Sequence, residues 1–232
     1  MKRFLLPLVF LFSLASVSAN AQTTVNVFAA SSLTVPYKDA GKLYEKTHSG
    51  IKINFIFSAS STLATQILNG ASADIFVSAS PVDMKRVKLG ENYVVNRVVL
   101  AVPKDSKIKT FSDLVVGVKW IRCADFVPCG SAAKKALASE NVPSSPVSLE
   151  PMSSTVFSKL LTGEVAAAIV YRTDVLAHPE SLRSIEFRNS ASAKTQYQIA
   201  MLRRSKESSR IFTYLKSAKV VQQLMNQGFD LK

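Results

Sequence analysis

Thr24-Val-Asn-Val-Phe-Ala-Ala-Ser-Ser-Leu-Thr34 opens a run of sequence whose alternation decides the fold. Val25 and Val27 share one face of an extended segment, so Thr24 to Ala30 reads as a strand. After Ser31-Ser32-Leu33-Thr34, the apolar residues Tyr37, Ala40, Leu43 and Tyr44 recur at helical spacing, which predicts a helix to about Thr47. Ile51 to Phe57 alternates Ile, Ile, Phe and Phe as a second strand. Ser58-Ala-Ser-Ser-Thr62 then opens a helix over Leu63 to Leu68, stopped by Asn69-Gly70. Asp74-Ile-Phe-Val-Ser78 is a third strand, apolar through its centre as a buried parallel strand should be. Strand alternating with helix in this way predicts parallel βαβ units, an α/β protein.

The alternation continues downstream. Val94 to Val102 is a long strand, Thr110 to Leu114 a short helix, and Gly117 to Cys123 a strand. Helices over Ser131 to Ala138 and Ser154 to Leu161 flank a brief strand, Val147 to Glu150. Val165 to Tyr171 and Gln196 to Met201 are further strands, and Ser208 to Gln227 supplies the last one or two helices. The chain has 232 residues, 47% apolar and 19% charged, enough to bury a core and too apolar for disorder.

Upstream, residues 1–21 have a different character. Lys2 and Arg3 precede an almost unbroken apolar stretch, Phe4 to Val17, and small residues follow. This pattern predicts a secretory signal peptide cut after Ala21 (after Ala19 as the alternative), with a retained N-terminal anchor as the competing reading. Losing Lys2 and Arg3 takes the formal charge from +13 to +11. The mature protein is therefore expected outside the cytoplasmic membrane, in the periplasm or extracytoplasmic space.

Export changes the meaning of the two cysteines, Cys123 and Cys129. Six residues apart in an oxidising compartment, they are a disulfide candidate, with two buried free thiols as the alternative. So short a loop gains only about 2 kcal/mol of chain entropy from the bond, so its main effect is to shape one loop.

Four strand-to-helix junctions share one chemistry: Ser31-Ser32, Ser60-Ser61-Thr62, Cys129-Gly130-Ser131 and Ser153-Ser154-Thr155. Helix starts carry unpaired N–H groups and partial positive charge, so they bind anions without a cationic side chain. In open α/β sheets such turns lie at the carboxyl ends of the strands, where ligands bind. The competing reading is that Ser and Thr simply cap their helices.

These junctions carry a family resemblance. Val27-Phe-Ala-Ala-Ser-Ser-Leu-Thr34, Phe57-Ser-Ala-Ser-Ser-Thr-Leu-Ala64 and Gly70-Ala-Ser-Ala-Asp-Ile-Phe-Val-Ser-Ala79 resemble the periplasmic molybdate-binding proteins of ABC importers. Val127-Pro-Cys-Gly130 and Gly163-Glu-Val-Ala-Ala-Ala-Ile-Val-Tyr-Arg-Thr-Asp174 match two further stretches of that family in the same order. The resemblance implies a two-lobed type II periplasmic-binding-protein fold, with two mixed or parallel sheets flanked by helices and two crossing strands. It places lobe one at residues 22–98 and 197–232, and lobe two at 99–196, with crossings near Val98 to Val102 and Gln196 to Met201. It implies an oxyanion site in the cleft, built from the Ser32 and Ser60 hydroxyls, the Cys129 and Ser153 amides and the Tyr171 hydroxyl. Ser31 and Ser61 are possible accessories. Cys129 and Ser153 depart from the family's usual Ala and apolar residue, a change that leaves the backbone amide in place.

The implied role is capture of molybdate, and of tungstate, by a monomer that hands it to a membrane permease driven by a cytoplasmic ATPase. No cofactor is expected, and no metal beyond the oxyanion itself. Molybdate, tungstate and sulfate are fully ionised dianions that offer only acceptors, so a site of N–H and O–H donors suits them. Phosphate keeps a proton near neutrality and favours a carboxylate. No Asp or Glu lies within the four junctions, and the nearby Asp125 and Glu150 are expected to be exposed or to cap backbone. Sulfate stays open as the alternative ligand.

Other function classes fare worse. A serine hydrolase needs a base, but His48 and His178 stand beside turn residues and no Gly-x-Ser-x-Gly elbow occurs. No Gly-x-x-x-x-Gly-Lys-Ser/Thr segment exists for a nucleotide. Tyr171 lacks the clustered Tyr and carboxylate partners of a ferric site. The basic runs Arg203-Arg204-Ser-Lys206 and Lys134-Lys135 have no interleaved aromatics, so nucleic acid is not an expected partner.

Overall fold

A computed structural model describes residues 22–231. The signal-peptide reading falls on residues 1–21, outside the described residues. Among those described, no helix is long and apolar enough to cross a membrane.

The alternation of the sequence becomes one mixed sheet. Its strands are β1 (Thr23–Ala30), β2 (Ile51–Ser58), β3 (Ile75–Ser78), β4 (Glu91–Pro103), β5 (Trp120–Cys123), β6 (Ser148–Glu150), β7 (Ala167–Tyr171), β8 (Leu182–Ile185) and β9 (Lys194–Met201). They run in the order β2-β1-β3-β9-β4-β7-β5-β6, with β8 also on β4. β1 pairs in parallel with β2 and β3, and β5 with β6 and β7. β4 is the long element that makes two lobes out of one chain. Up to Arg97 it pairs with β9, and from Val98 it pairs with β7 and β8.

The helices are α1 (Thr34–Thr47), α2 (Ser60–Leu68), α3 (Pro81–Val87), α4 (Pro128–Leu137), α5 (Ser153–Leu161), α6 (Arg172–Leu176), α7 (Lys206–Leu215) and α8 (Ala218–Asn226). Burial follows strand period. In β1, Val25, Val27 and Ala29 enter a core with Tyr37 of α1, Ile211 of α7 and Leu224 of α8. Phe28 points the other way, to Leu63 of α2 and Met84 of α3. Lobe one is thus helix on sheet on helix. Lobe two has its own core, where Val98 to Val102 and Ala167 to Tyr171 meet Ala133 of α4 and Val156 of α5. Each fully buried aliphatic side chain contributes about 1.5–3 kcal/mol before the entropy cost of ordering the chain.

The starts of the helices matter more for function than their ends. α2 begins at Ser60, α4 at Pro128 and α5 at Ser153. These are earlier than the sequence pattern suggests, by three residues for α2 and α4 and by one for α5. Pro128 suits the first helical position because its missing N–H has no partner there anyway. Cys129 and Gly130 therefore sit inside the first turn of α4, with their amides free of intrahelical acceptors.

Cys123 and Cys129 are joined by a disulfide, with Cα atoms 5.7 Å apart. The bond ties the end of β5 to the first turn of α4. Reduction is expected to loosen the Cys129 amide without unfolding either lobe. Calorimetric titration with molybdate before and after reduction tests this: a weaker affinity with a retained circular dichroism spectrum is the expected result. Two alkylatable thiols in native protein, or unchanged affinity on reduction, would contradict it.

Candidate oxyanion site between the lobes

The carboxyl ends of β1, β2 and β3 in lobe one face the starts of α4 and α5 in lobe two. Between them lies a small cavity lined by Ser31, Ser32, Ser58, Ala59, Ser60, Ala79, Val127, Cys129, Met152, Ser153 and Tyr171, with Ala30, Pro128 and Pro151 completing the wall. The centres of water-sized spheres reach about 10 Å³ of it, within about 230 Å³ of atom-free space that includes open solvent. Ser32, Ser60, Cys129, Ser153 and Tyr171, drawn from five segments of sequence and two lobes, all face this one space. Ser31 joins them; Ser61, one residue into α2, does not line the cavity.

The helix starts around the cavity are bare of side-chain caps. The 3-10 turn Ser31–Leu33 and α2, α4 and α5 have Ala30, Ala59, Val127 and Met152 at the cap position, and none has a side-chain cap bond. The serines occupy the first helical position instead. Elsewhere this chain caps with serine in the ordinary way. The Ser80, Ser205 and Ser217 hydroxyls accept from the amides of Asp83, Ser208 and Val220. The simple capping account therefore holds away from the cleft and fails at it.

The hydroxyls are held by their own networks. Ser60 Oγ accepts from the Ala79 N–H at 2.9 Å, so its proton is free to donate elsewhere. Ser32 Oγ lies 2.6 Å from the Tyr197 hydroxyl. Tyr197, on β9, also stacks obliquely toward Tyr171, with ring centroids 6.4 Å apart. Burial pushes the Tyr171 phenol up to about 12 and Tyr197 well above its ordinary value, so both remain protonated donors. Tyr197 is a residue the sequence reading did not single out. A tyrosine at an inward position of a strand needs a partner for its hydroxyl, which is the signal that marks it.

Among the described residues, no carboxylate and no cation lines the cavity. Asp125 is engaged by Arg122 at 2.6 Å and by Lys134 at 2.8 Å, outside the cavity. Glu150 corrects the expectation of exposure: it is 7% exposed and bound by Lys159 at 2.6 Å. That ammonium holds its carboxyl below the ordinary range. Both acids are thus spent on cations, and the cavity offers donors: N–H groups of helix starts and hydroxyls. Such a set satisfies a fully ionised oxyanion, and burial between lobes strengthens each bond. The surplus of basic residues raises the local dianion concentration from a distance without contributing a ligand.

Asp174 is an acid bonded to the backbone of a cavity residue. Its carboxylate accepts the Tyr171 N–H at 3.1 Å, and burial pushes its pKa up to about 7. A carboxyl raised from its usual value near 4 binds a proton in the folded state that the unfolded chain has already lost. Stability should therefore fall as pH rises from about 4 to about 7 and level off above. Asp174→Asn is expected to flatten that part of the profile, since its carbonyl can still accept from Tyr171. Melting temperatures of both proteins from pH 4 to 8 provide the test, and parallel curves would contradict it.

His178 is half-buried rather than on the surface, its ring 5.1 Å from that of Phe157 and its Nδ1 3.2 Å from the Asp174 carbonyl oxygen. It does not line the cavity, and among the described residues no nucleophile and base converge there.

Comparison with known proteins agrees with this architecture. The family model for bacterial extracellular solute-binding proteins matches residues 25–230. The molybdate-binding protein ModA of Mycobacterium tuberculosis is 32% identical over 217 residues, covering 88% of this chain and 83% of that protein. ModA of Haemophilus influenzae is 30% identical over 235 residues, covering 91% and 92%. The solved structure of the periplasmic molybdate-binding protein of Azotobacter vinelandii superposes with a TM-score of 0.73 at 15% identity, covering 90% of this chain and 99% of that one. The fold is the two-lobed type II binding-protein fold, and the protein is a solute binder rather than an enzyme. With these residues at these places, the chain belongs to the bacterial extracellular solute-binding proteins, in the family that holds the molybdate-binding proteins of ABC importers.

Proposed function

We propose that this protein captures molybdate, and also tungstate, between its two lobes outside the cytoplasmic membrane. It then delivers the oxyanion, as a monomer, to an ABC permease and its ATPase. The observation that carries the reading is the convergence of four uncapped helix starts from both lobes on one cavity without a carboxylate. In this reading the Ser32, Ser60 and Tyr171 hydroxyls and the Cys129 and Ser153 amides are the ligands. Both lobes contribute, so the anion binds the closed arrangement better and shifts the population toward it. The names of the relatives, molybdate-binding proteins over most of the chain, support the choice of anion.

Sulfate shares the charge and the lack of a proton and differs in size. A thermal-shift panel of molybdate, tungstate, sulfate, phosphate and nitrate separates them. A ligand at 100 times its dissociation constant adds about 2.7 kcal/mol to stability. Molybdate and tungstate are expected to shift the melt, with phosphate and nitrate silent. A shift with sulfate or phosphate and none with molybdate would overturn the assignment.

A further inference from the structure

The cavity has a neighbour. A larger chamber of about 430 Å³ lies between the start of α1, α5, α6 and the C-terminal segment, with Val35, Phe157, Asp174, His178, Gln227 and Phe229 in its wall. It opens along the cleft, and three residues line both spaces: Ser31, Ser32 and Ser153. These three form the partition between them.

Within the partition, Ser32 is tied inside its own lobe, to Tyr197. Ser31 and Ser153 are not. Ser31 Oγ, on lobe one, lies 3.0 Å from Ser153 Oγ, on lobe two, 122 residues further along the chain. Neither hydroxyl caps its own helix, because Ala30 and Met152 hold the cap positions. Beside this pair, the Ser58 hydroxyl meets the Met152 sulfur across the same cleft at 3.8 Å, a weaker contact. Ala59 packs into the core of lobe two.

We infer that the Ser31 and Ser153 side chains form an interlobe latch that sets how fast a captured oxyanion leaves. Both partners belong to the protein, so the bond favours the closed arrangement whatever the ligand. It also stands on the boundary between cavity and chamber, so a ligand passing from one to the other must part it. The side-chain role of Ser153 is separate from the role of its amide, since alanine removes one and keeps the other. The inference rests on the proposed function for its cargo but not for closure itself.

The test uses Ser31→Ala, Ser153→Ala and the double variant, each checked for an unchanged melting cooperativity. Stopped-flow release of molybdate should quicken roughly 2- to 10-fold in each single variant, the range of one neutral hydrogen bond. The double variant should release no faster than either single one, because both changes remove the same bond. Hydrogen exchange without added ligand gives an independent reading. The amides of Ser60, Cys129 and Gly130 should exchange roughly 2- to 10-fold faster in the variants, while the core strands β1 and β7 keep their protection. Additive release rates would mean that each hydroxyl acts on the ligand separately, and unchanged cleft exchange would mean no latch. Either outcome overturns the inference. Should molybdate fail to bind the wild-type protein, the proposed function falls and the exchange comparison alone decides the latch.

Discussion

Ser60→Ala is expected to weaken molybdate binding roughly 10- to 150-fold with the fold intact, and Tyr171→Phe to do likewise. Hydrogen bonds to a charged acceptor contribute about 1.5–3 kcal/mol each, and both hydroxyls face a space closed off between the lobes. Ser60 has its acceptor side taken by the Ala79 N–H, which leaves the proton for the ligand. The alanine variant also strands that amide, so it should lose about 1–3 kcal/mol of stability. Tyr171→Phe keeps the ring packed at the end of β7 and removes the donor alone. A helix-capping role for Ser60 would predict lost stability with normal affinity, but the cap position of α2 is Ala59. Both accounts predict a loss of stability, so calorimetric titration of affinity distinguishes them. Wild-type affinity in both variants would remove these residues from the site.

Gly130→Ala should do more damage than either. A Cβ at this position would lie 1.9 Å from the Ala124 carbonyl oxygen and 2.7 Å from that of Cys123. Both obstacles are backbone, and that backbone is held. The Ala124 N–H donates to the Glu150 carbonyl oxygen, Arg122 donates to the Cys123 carbonyl oxygen, and the disulfide closes the loop. The first turn of α4 must therefore move, taking the Cys129 amide with it. Overpacking of this kind costs about 1–3 kcal/mol and occasionally more. Displacing the amides of α4 from a buried dianion adds a further loss, so affinity should fall by roughly 100-fold or more. A folded Gly130→Ala protein with normal affinity would show that the start of α4 is no part of the site.

Most of this architecture is legible in the sequence because its strands are buried on defined faces. β1 and β9 carry inward residues at period two, and β3 and β7 are buried throughout, so pattern alone locates them. The elements that escape pattern reading are short. α3, α6 and β8 have seven, five and four residues and set polar residues among isolated or paired apolar ones, so neither an apolar run nor a period registers. α3 does announce itself in another way, through Ser80-Pro81-Val82-Asp83, a serine cap followed by proline at the first helical position. The candidate site residues are legible because small hydroxyl-bearing turns recur after several strands. What one junction does to another is not. Ser31 meets Ser153 because β4 changes partners at Arg97 and sets one lobe against the other, and Ser32 meets Tyr197 because β3 brings β1 and β9 into one sheet. Glu150 is buried for a local reason: its cation, Lys159, lies nine residues later on α5 of the same lobe.

The central claim is that an oxyanion is held in the cavity between the lobes. Anomalous diffraction at the molybdenum edge, from crystals grown with saturating molybdate, tests it most directly. The account predicts one strong anomalous peak inside the ring of Ser32, Ser60, Cys129, Ser153 and Tyr171, with oxygens at hydrogen-bond distance from their hydroxyls and amides. A peak confined to the protein surface, or none in the cavity, would contradict it.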